Sequence, residues 1–115
     1  DLQGRGLAGP VGGQDGYHAA LNRVARGEQT VSVWKNSLDV GSKAAEIAVA
    51  LANGTALADI VDAEQWSGGA NGVEMNAIFL DPTPVTQDNI SAVIDAGHIA
   101  KEKVCAGAAA GVKGC

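Results

Sequence analysis

Hydrophobic and polar positions in the first third of the chain follow two periods, one typical of strands and one typical of helices. Residues 7–11 form a short apolar stretch before a Gly-Gly pair, which predicts the end of a buried strand. From Tyr17 to Arg26 the apolar residues recur on one helical face, and Gly27 is placed to end that helix. The run TVSVW, residues 30–34, alternates like a strand.

The middle of the chain begins with a second helical pattern. Apolar residues recur at helical spacing from Val40 to Leu51, and the Asn53-Gly54 pair predicts the carboxyl-terminal cap. Residues 55–75 are less regular, and the segment SGGANG, residues 67–72, predicts a turn. The order of elements up to this point is therefore strand, helix, strand, helix.

The last third adds one strand and one helix. NAIFL, residues 76–80, predicts a strand that the two prolines of DPTP, residues 81–84, are expected to break. Thr86 is expected to cap a helix with Ile90 on its inner face, and Gly97 to end it. This alternation of strands and helices predicts an α/β fold with a parallel sheet, whose ligands sit beyond the carboxyl ends of the strands.

Composition narrows the classes of function. Apolar residues make up 46% of the chain and charged residues 18%, which indicates globular material. The net charge of −5 and eight scattered Lys and Arg residues argue against a nucleic-acid partner. No window of eighteen apolar residues exists, so no membrane span is predicted. The opening residues DLQGRG resemble the interior of a longer protein.

Two charged residues stand at the ends of the first two predicted strands. Asp15 lies at the tip of a glycine-rich turn, and Lys35 directly follows TVSVW. Since the carboxyl ends of parallel strands share one edge of a sheet, we expect Asp15 and Lys35 to converge. A carboxylate accepts from hydroxyls and an ammonium donates to oxygens, so the pair suits a sugar. A surface salt bridge without a ligand is the alternative that the pattern leaves open.

Other chemistries find little support in the sequence. The Gly-Gly pair could cradle a phosphate, but neither P-loop nor dinucleotide spacing follows it. His18 and His98 are far apart, with no metal-ligand spacing around them. No serine occupies a G-x-S-x-G context. We therefore expect no metal, no cofactor and no enzymatic activity.

The only two cysteines, Cys105 and Cys115, bound a tail of small residues. A disulfide between them would close a short loop and pin the end of the chain, which suggests an oxidising compartment. Two free thiols are the alternative.

Four blocks of sequence, in this order, resemble the carboxyl-terminal third of a periplasmic sugar-binding protein of an ABC importer. They are GQDGYHAALNRVARGEQTVSVWK, KAAEIAVALANG, AIFLDPTPVTQDNI and IDAGH. The resemblance extends over residues 6–104 and is greatest for the xylose-binding branch. It implies the type I periplasmic-binding-protein fold, which has two α/β lobes with parallel sheets and hinge crossings between them.

The resemblance also implies a division of the chain. Residues 1–34 would belong to the carboxyl-terminal lobe, and residues 35–79 to the amino-terminal lobe after a hinge crossing. Residues 80–104 would form the return crossing and the final helix, and residues 105–115 a cysteine-bounded tail. By their positions in the GQD and aromatic-Lys motifs, Asp15 and Lys35 match the sugar-contacting residues of the family. Trp34 is expected to pack beneath the hinge.

The function implied is that of a substrate-binding component, which binds D-xylose or a similar aldose between its lobes and delivers it to a membrane permease. Its location would be periplasmic or extracellular, free or tethered to a membrane. Strands from both lobes would leave apolar faces uncovered in this chain, so we expect order only together with the remaining amino-terminal part. The alternatives are the effector-binding core of a sugar-responsive transcription regulator and a stand-alone flavodoxin-like domain.

Overall fold

A computed structural model describes residues 3–7, 9–60 and 62–115. The strands are β1 (Gly12–Gln14), β2 (Val31–Trp34), β3 (Glu64–Trp66), β4 (Met75–Ala77) and β5 (Thr83–Val85). The helices are α1 (His18–Arg26), α2 (Ser37–Ala52), α3 (Ser91–Asp95) and α4 (Lys101–Val104), with short 3₁₀ turns at Gln3–Arg5 and Leu57–Asp59. The chain divides into two compact units, one formed by the described residues up to Lys35 with Pro82–Cys115 and the other by Asn36–Asp81.

The first unit contains a three-stranded sheet in the order β1-β2-β5. β1 and β2 are parallel, with Gln14 opposite Val33, as the alternation of elements predicts. β5 is antiparallel to β2, with Thr83 opposite Trp34, so the prediction of a wholly parallel sheet is wrong. The physical reason is that the chain leaves this unit after β2 and re-enters it at β5 beside the end of β2, where Thr83 lies opposite Trp34, so β5 runs back along β2.

Two boundaries in this unit also differ from the sequence predictions. The apolar stretch 7–11, of which residue 8 lies outside the described residues, precedes the first strand instead of forming it. The strand expected over residues 76–80 does end before DPTP, since β4 stops at Ala77, but the chain then forms β5, which the sequence did not predict, with Pro84 inside it. β5 is an edge strand, where the missing N–H of proline leaves no sheet hydrogen bond unmade.

The core of the first unit lies between the sheet and the helices. Leu21 and Val24 of α1 are fully buried, as its amphipathic pattern predicts, and Gly27 ends the helix with a left-handed φ of 79°. The helix expected near Thr86 forms as α3, but its N-cap is the fully buried Ile90, without a side-chain hydrogen bond, so the prediction that Thr86 caps it is wrong. The Thr86 hydroxyl accepts instead from the Asp88 amide at 3.3 Å, within the turn that precedes the helix. The other buried apolar residues of this core are Ala20, Ala25, Trp34, Val85, Val93, Ile99, Val104 and Val112.

The carboxyl-terminal tail is part of this core. A disulfide joins Cys105 and Cys115, and Val112 inside the closed loop is buried. The Ala109 amide donates to the Ala25 carbonyl of α1 at 2.9 Å. The tail therefore packs on α1, although only its cysteines gave a signal in the sequence.

The second unit consists of α2 and an antiparallel hairpin of β3 and β4. Asn36 caps α2, since its Oδ1 accepts from the Leu38 amide at 3.1 Å, and Asn53 is the carboxyl-terminal cap. The predicted SGGANG turn lies in the hairpin loop. None of the described residues of this unit is buried, and α2 exposes several large apolar side chains.

Candidate functional site

The structure brings Asp15 and Lys35 together. Lys35 Nζ lies 2.9 Å from Asp15 Oδ1, and the two side chains are 50% and 62% exposed, respectively. Each residue directly follows its strand, because β1 and β2 are parallel neighbours and end at the same edge of the sheet. The ion pair engages Oδ1, while a carboxylate accepts through both oxygens and an ammonium has three N–H donors. The pair therefore has capacity left for the hydroxyls of a polar ligand.

An unusual turn presents Asp15. Asp15 and Gly16 both have left-handed backbones, with φ of 70° and 58°. Asp tolerates this conformation better than most residues, and strained backbone of this kind tends to occur at functional sites. The Asp15 amide donates to the Val33 carbonyl at 2.7 Å, which continues the β1-β2 ladder by one residue. The carboxylate is thus held next to β2, on which Lys35 follows.

Trp34 supports the turn from beneath. Its side chain is only 4% exposed, on the opposite face of the strand from Lys35, as the alternation of side chains along a strand requires. A Cβ atom on Gly16 would lie 2.6 Å from Trp34 Cδ1, so only glycine fits between the turn and the indole. Trp34 Nε1 has no hydrogen-bond partner within the described residues.

Two histidines close the other side of the turn. Sequence spacing gave no reason to associate His18 with His98, yet their rings lie 5.2 Å apart, edge to face. His98 Nε2 is 2.8 Å from the Gly16 carbonyl, and His18 Nε2 is 3.0 Å from the His98 carbonyl. A carbonyl oxygen can only accept, so each Nε2 carries the donated proton. Because eighty residues separate the histidines, no local pattern could have revealed this contact.

A cleft of about 560 Å³ opens beside this turn. Its size lies within the range of small-molecule sites. Tyr17, which is 76% exposed, presents an aromatic ring there, and rings of this kind commonly pack against the apolar faces of sugars. The cleft is lined by Asp15, Gly16, Tyr17, His18, Ala19 and His98.

The described ranges, residues 3–7, 9–60 and 62–115, contain neither a metal-ligand cluster nor a membrane-spanning helix. No group of three or more His, Cys, Asp or Glu side chains is close enough to hold a metal ion. None of the helices in these ranges is long and apolar enough to cross a membrane.

Comparison with known proteins gives two significant matches of the same kind. A D-xylose-binding periplasmic protein of Haemophilus influenzae is 38% identical over 106 residues, which cover 90% of this chain. The chain matches the carboxyl-terminal part of that protein. This chain is a homologue of the carboxyl-terminal part of periplasmic xylose-binding proteins. The D-xylose-binding periplasmic protein of Escherichia coli is 46% identical over 55 residues, or 46% of the chain. No protein-family model matches.

The match extends over only part of each relative. The aligned segments cover 30% of the Haemophilus influenzae protein and 17% of the Escherichia coli protein. Both relatives are named as binding proteins and not as enzymes. The recognition of a periplasmic sugar-binding protein from the four sequence blocks is confirmed.

Proposed function

We propose that this chain forms part of the substrate-binding component of an ABC sugar importer. That component binds D-xylose or a similar aldose and delivers it to a membrane permease. The observation that carries the proposal is the Asp15–Lys35 pair, which lies at the carboxyl edge of a parallel strand pair in a homologue of xylose-binding proteins. Asp15 accepts hydrogen bonds from sugar hydroxyls, and Lys35 donates to a hydroxyl or ring oxygen. No covalent chemistry is required.

The division of the chain supports a two-lobed arrangement in this proposal. The first unit is interrupted after Lys35 and resumes at Pro82, close to the limits 34 and 80 that the resemblance implies. We assign the first unit to the carboxyl-terminal lobe and Asn36–Asp81 to the amino-terminal lobe. Pro82 and Pro84 then restrict the backbone at the return crossing, as a hinge that must keep its direction requires. Sugar bound between the lobes would favour the closed conformation, and the permease recognises that conformation.

The exposed surface of the second unit supports a longer protein. Leu38 and Val49 of the sixteen-residue helix α2 are 66% and 60% exposed, and no residue of that helix is buried. A helix in water rarely keeps an apolar face without a covering layer. We infer that the amino-terminal part, which corresponds to the unmatched portion of the relatives, covers this face.

The compartment follows from the same proposal. Both relatives are named as periplasmic proteins, and a disulfide such as Cys105–Cys115 persists in an oxidising compartment. We place the protein in the periplasm. A sugar-responsive regulator has no specific support, because the net charge of −5 does not suit a nucleic-acid partner.

Calorimetric titration of the full-length protein tests the proposal. D-xylose is titrated against D-glucose and D-ribose, first with the unaltered protein and then with Asp15→Asn and Lys35→Met. Asn tolerates the left-handed backbone of position 15, so the first variant changes the charge and not the turn. Loss of a charged hydrogen bond should weaken binding by about tenfold to a hundredfold.

A second ion pair of the same unit provides the matched control. Lys113 Nζ lies 3.5 Å from Asp88 Oδ1, and both side chains are exposed. Asp88→Asn and Lys113→Met remove the same chemical groups away from the cleft and should leave affinity unchanged. If none of the three sugars gives heat, or if Asp15→Asn and Lys35→Met bind as tightly as the controls, the assigned sugar site is wrong.

A further inference from the structure

His98 lies at a position from which it contacts the neighbours of both members of the Asp15–Lys35 pair. Its Nε2 donates to the carbonyl of Gly16, the residue after Asp15, at 2.8 Å. Its ring lies 5.3 Å from that of Trp34, the residue before Lys35. His98 therefore adds a third connection between the turn after β1 and the end of β2, beside the Asp15–Lys35 ion pair and the bond from the Asp15 amide to the Val33 carbonyl.

The turn that His98 holds needs an external restraint. Its two consecutive left-handed residues, Asp15 and Gly16, cost conformational energy that the surroundings must offset. From below, Trp34 contacts Gly16 closely. The hydrogen bond from His98 fixes the orientation of the peptide that follows Gly16, and this in turn limits how far the Asp15 carboxylate can swing away from Lys35.

A second hydrogen bond keeps His98 itself in place. His18, at the start of α1, donates from Nε2 to the His98 carbonyl at 3.0 Å. Residues 16–18 and residue 98 are thus joined by two ring-to-carbonyl bonds that run in opposite directions. The bond from His18 holds the backbone at residue 98, and the His98 ring itself packs beside the rings of His18 and Trp34 with its N–H directed at the Gly16 carbonyl.

We propose that His98 is a positioning residue for sugar binding, which orients the Asp15 turn through its hydrogen bond to the Gly16 carbonyl. The proposal rests on the proposed function, since it concerns the same site. This hydrogen bond, and not the packing of the imidazole ring, is what supports sugar affinity. Binding sites whose supporting residues are not fixed lose affinity even when every contact residue is present.

Two substitutions separate the hydrogen bond from the packing of the ring. His98→Gln keeps an N–H donor at a reach similar to that of Nε2, but removes the ring. His98→Phe keeps a flat ring beside Trp34, but removes the donor. In calorimetry of the full-length protein with D-xylose, His98→Phe should weaken binding by about tenfold, whereas His98→Gln should stay within about threefold of the unaltered protein.

A control variant separates positioning from general stability. Asn22 donates from Nδ2 to the carbonyls of Val104 and Ala106 at 3.0 and 2.8 Å, so it also joins distant segments of the first unit. Asn22→Ala should lower the melting temperature while leaving sugar affinity unchanged. If His98→Phe does not fold, His98→Asn replaces it, because the shorter Asn side chain does not reach the Gly16 carbonyl.

A measurement without sugar keeps this proposal distinct from the proposed function. The Asp15 amide, which donates to Val33, should exchange with solvent faster in His98→Phe than in His98→Gln. The proposal is overturned if Phe preserves affinity and Gln loses it, or if amide exchange at Asp15 is the same in both. Failure of the unaltered protein to bind any sugar would count against the proposed function, while the exchange rates would still decide the role of His98.

Discussion

Lys35 and Asp15 are twenty positions apart in the sequence, and their charged groups lie 2.9 Å apart at the end of two parallel strands. The register that pairs Gln14 with Val33 brings them together, because each charged residue lies just beyond the paired part of its strand. The same register would hold any side chains at these two positions close to each other. The fold therefore does not require a carboxylate and an ammonium at these two positions, and their presence points to the binding of a polar ligand.

The first prediction is that this ion pair contributes little to stability. Both side chains are at least half exposed, and ion pairs in such positions contribute about 0–1 kcal/mol. Asp15→Asn should therefore change the free energy of unfolding of the full-length protein by less than about 1 kcal/mol. Urea denaturation without sugar measures this. A loss of several kcal/mol would identify the pair as structural and weaken the case for a ligand.

The second prediction concerns the contact between Gly16 and Trp34. An alanine Cβ at position 16 would lie 2.6 Å from Trp34 Cδ1, and the backbone there is left-handed. Both effects destabilise, so Gly16→Ala should cost at least about 2 kcal/mol in denaturant unfolding.

Gly111→Ala is the matched control for that substitution. Gly111 is also left-handed, with φ of 85°, but a Cβ there meets nothing within 4 Å. The control should therefore lose only the conformational term of about 1 kcal/mol. Equal losses in the two variants would show that the indole moves aside at little cost.

Elements with a strong local pattern could be predicted from the sequence. The amphipathic spacing of α1, the alternation of β2 and the spacing of α2 each indicate one structure, and each element forms within two or three residues of its expected limits. The convergence of Asp15 and Lys35 follows from two such elements and the rule for parallel strands.

The features that depend on distant contacts could not be predicted. Pro84 is a strand breaker by local rules, and only the edge position of β5 makes it acceptable. The four residues of α4 are too few to show a helical period. His18 and His98 meet through the fold of the first unit, and neither residue has a local pattern that indicates its partner.

The third prediction concerns the disulfide of the tail. Closing a loop between residues 105 and 115 reduces the entropy of the unfolded chain, which for a loop of this length corresponds to about 3 kcal/mol. The double variant Cys105→Ser, Cys115→Ser should lose about that much stability in the full-length protein. The Lys113 amide inside the loop donates to the Gln87 carbonyl at 3.0 Å, so it should exchange with solvent faster in the double variant. Under conditions in which the double variant remains folded, its sugar affinity should be unchanged, because neither cysteine lines the cleft.

The disulfide prediction is checked by urea denaturation with and without a thiol reductant. The unaltered protein should approach the double variant when reduced, and the variant should be insensitive to reductant. If both proteins have the same stability before reduction, the tail is held by its hydrogen bonds to α1 and not by the covalent link.

The fourth prediction is a pH dependence within the second unit. Lys43 lies 3.2 Å from Glu46 and 3.3 Å from Asp62. Hydrogen bonds to Glu46 and then Asp62, followed by the attraction of these carboxylates, raise the pKa of Lys43 above its ordinary value of 10.5. The folded state therefore binds the proton more tightly than the unfolded state, so the stabilisation is fully present below pH 10.5 and is lost as the pH rises through the raised pKa.

Two substitutions at position 43 test this dependence by thermal unfolding of the full-length protein. Lys43→Met should melt below the unaltered protein at neutral pH, and the difference should shrink as the pH rises beyond 10.5. Lys43→Arg keeps its charge at these pH values, so its advantage over Lys43→Met should persist. Comparing the variants with one another cancels the titration of every other group. A gap between the unaltered protein and Lys43→Met that is unchanged in alkaline solution would mean that the aliphatic stem of Lys43, and not its charge, stabilises the segment from α2 to Asp62.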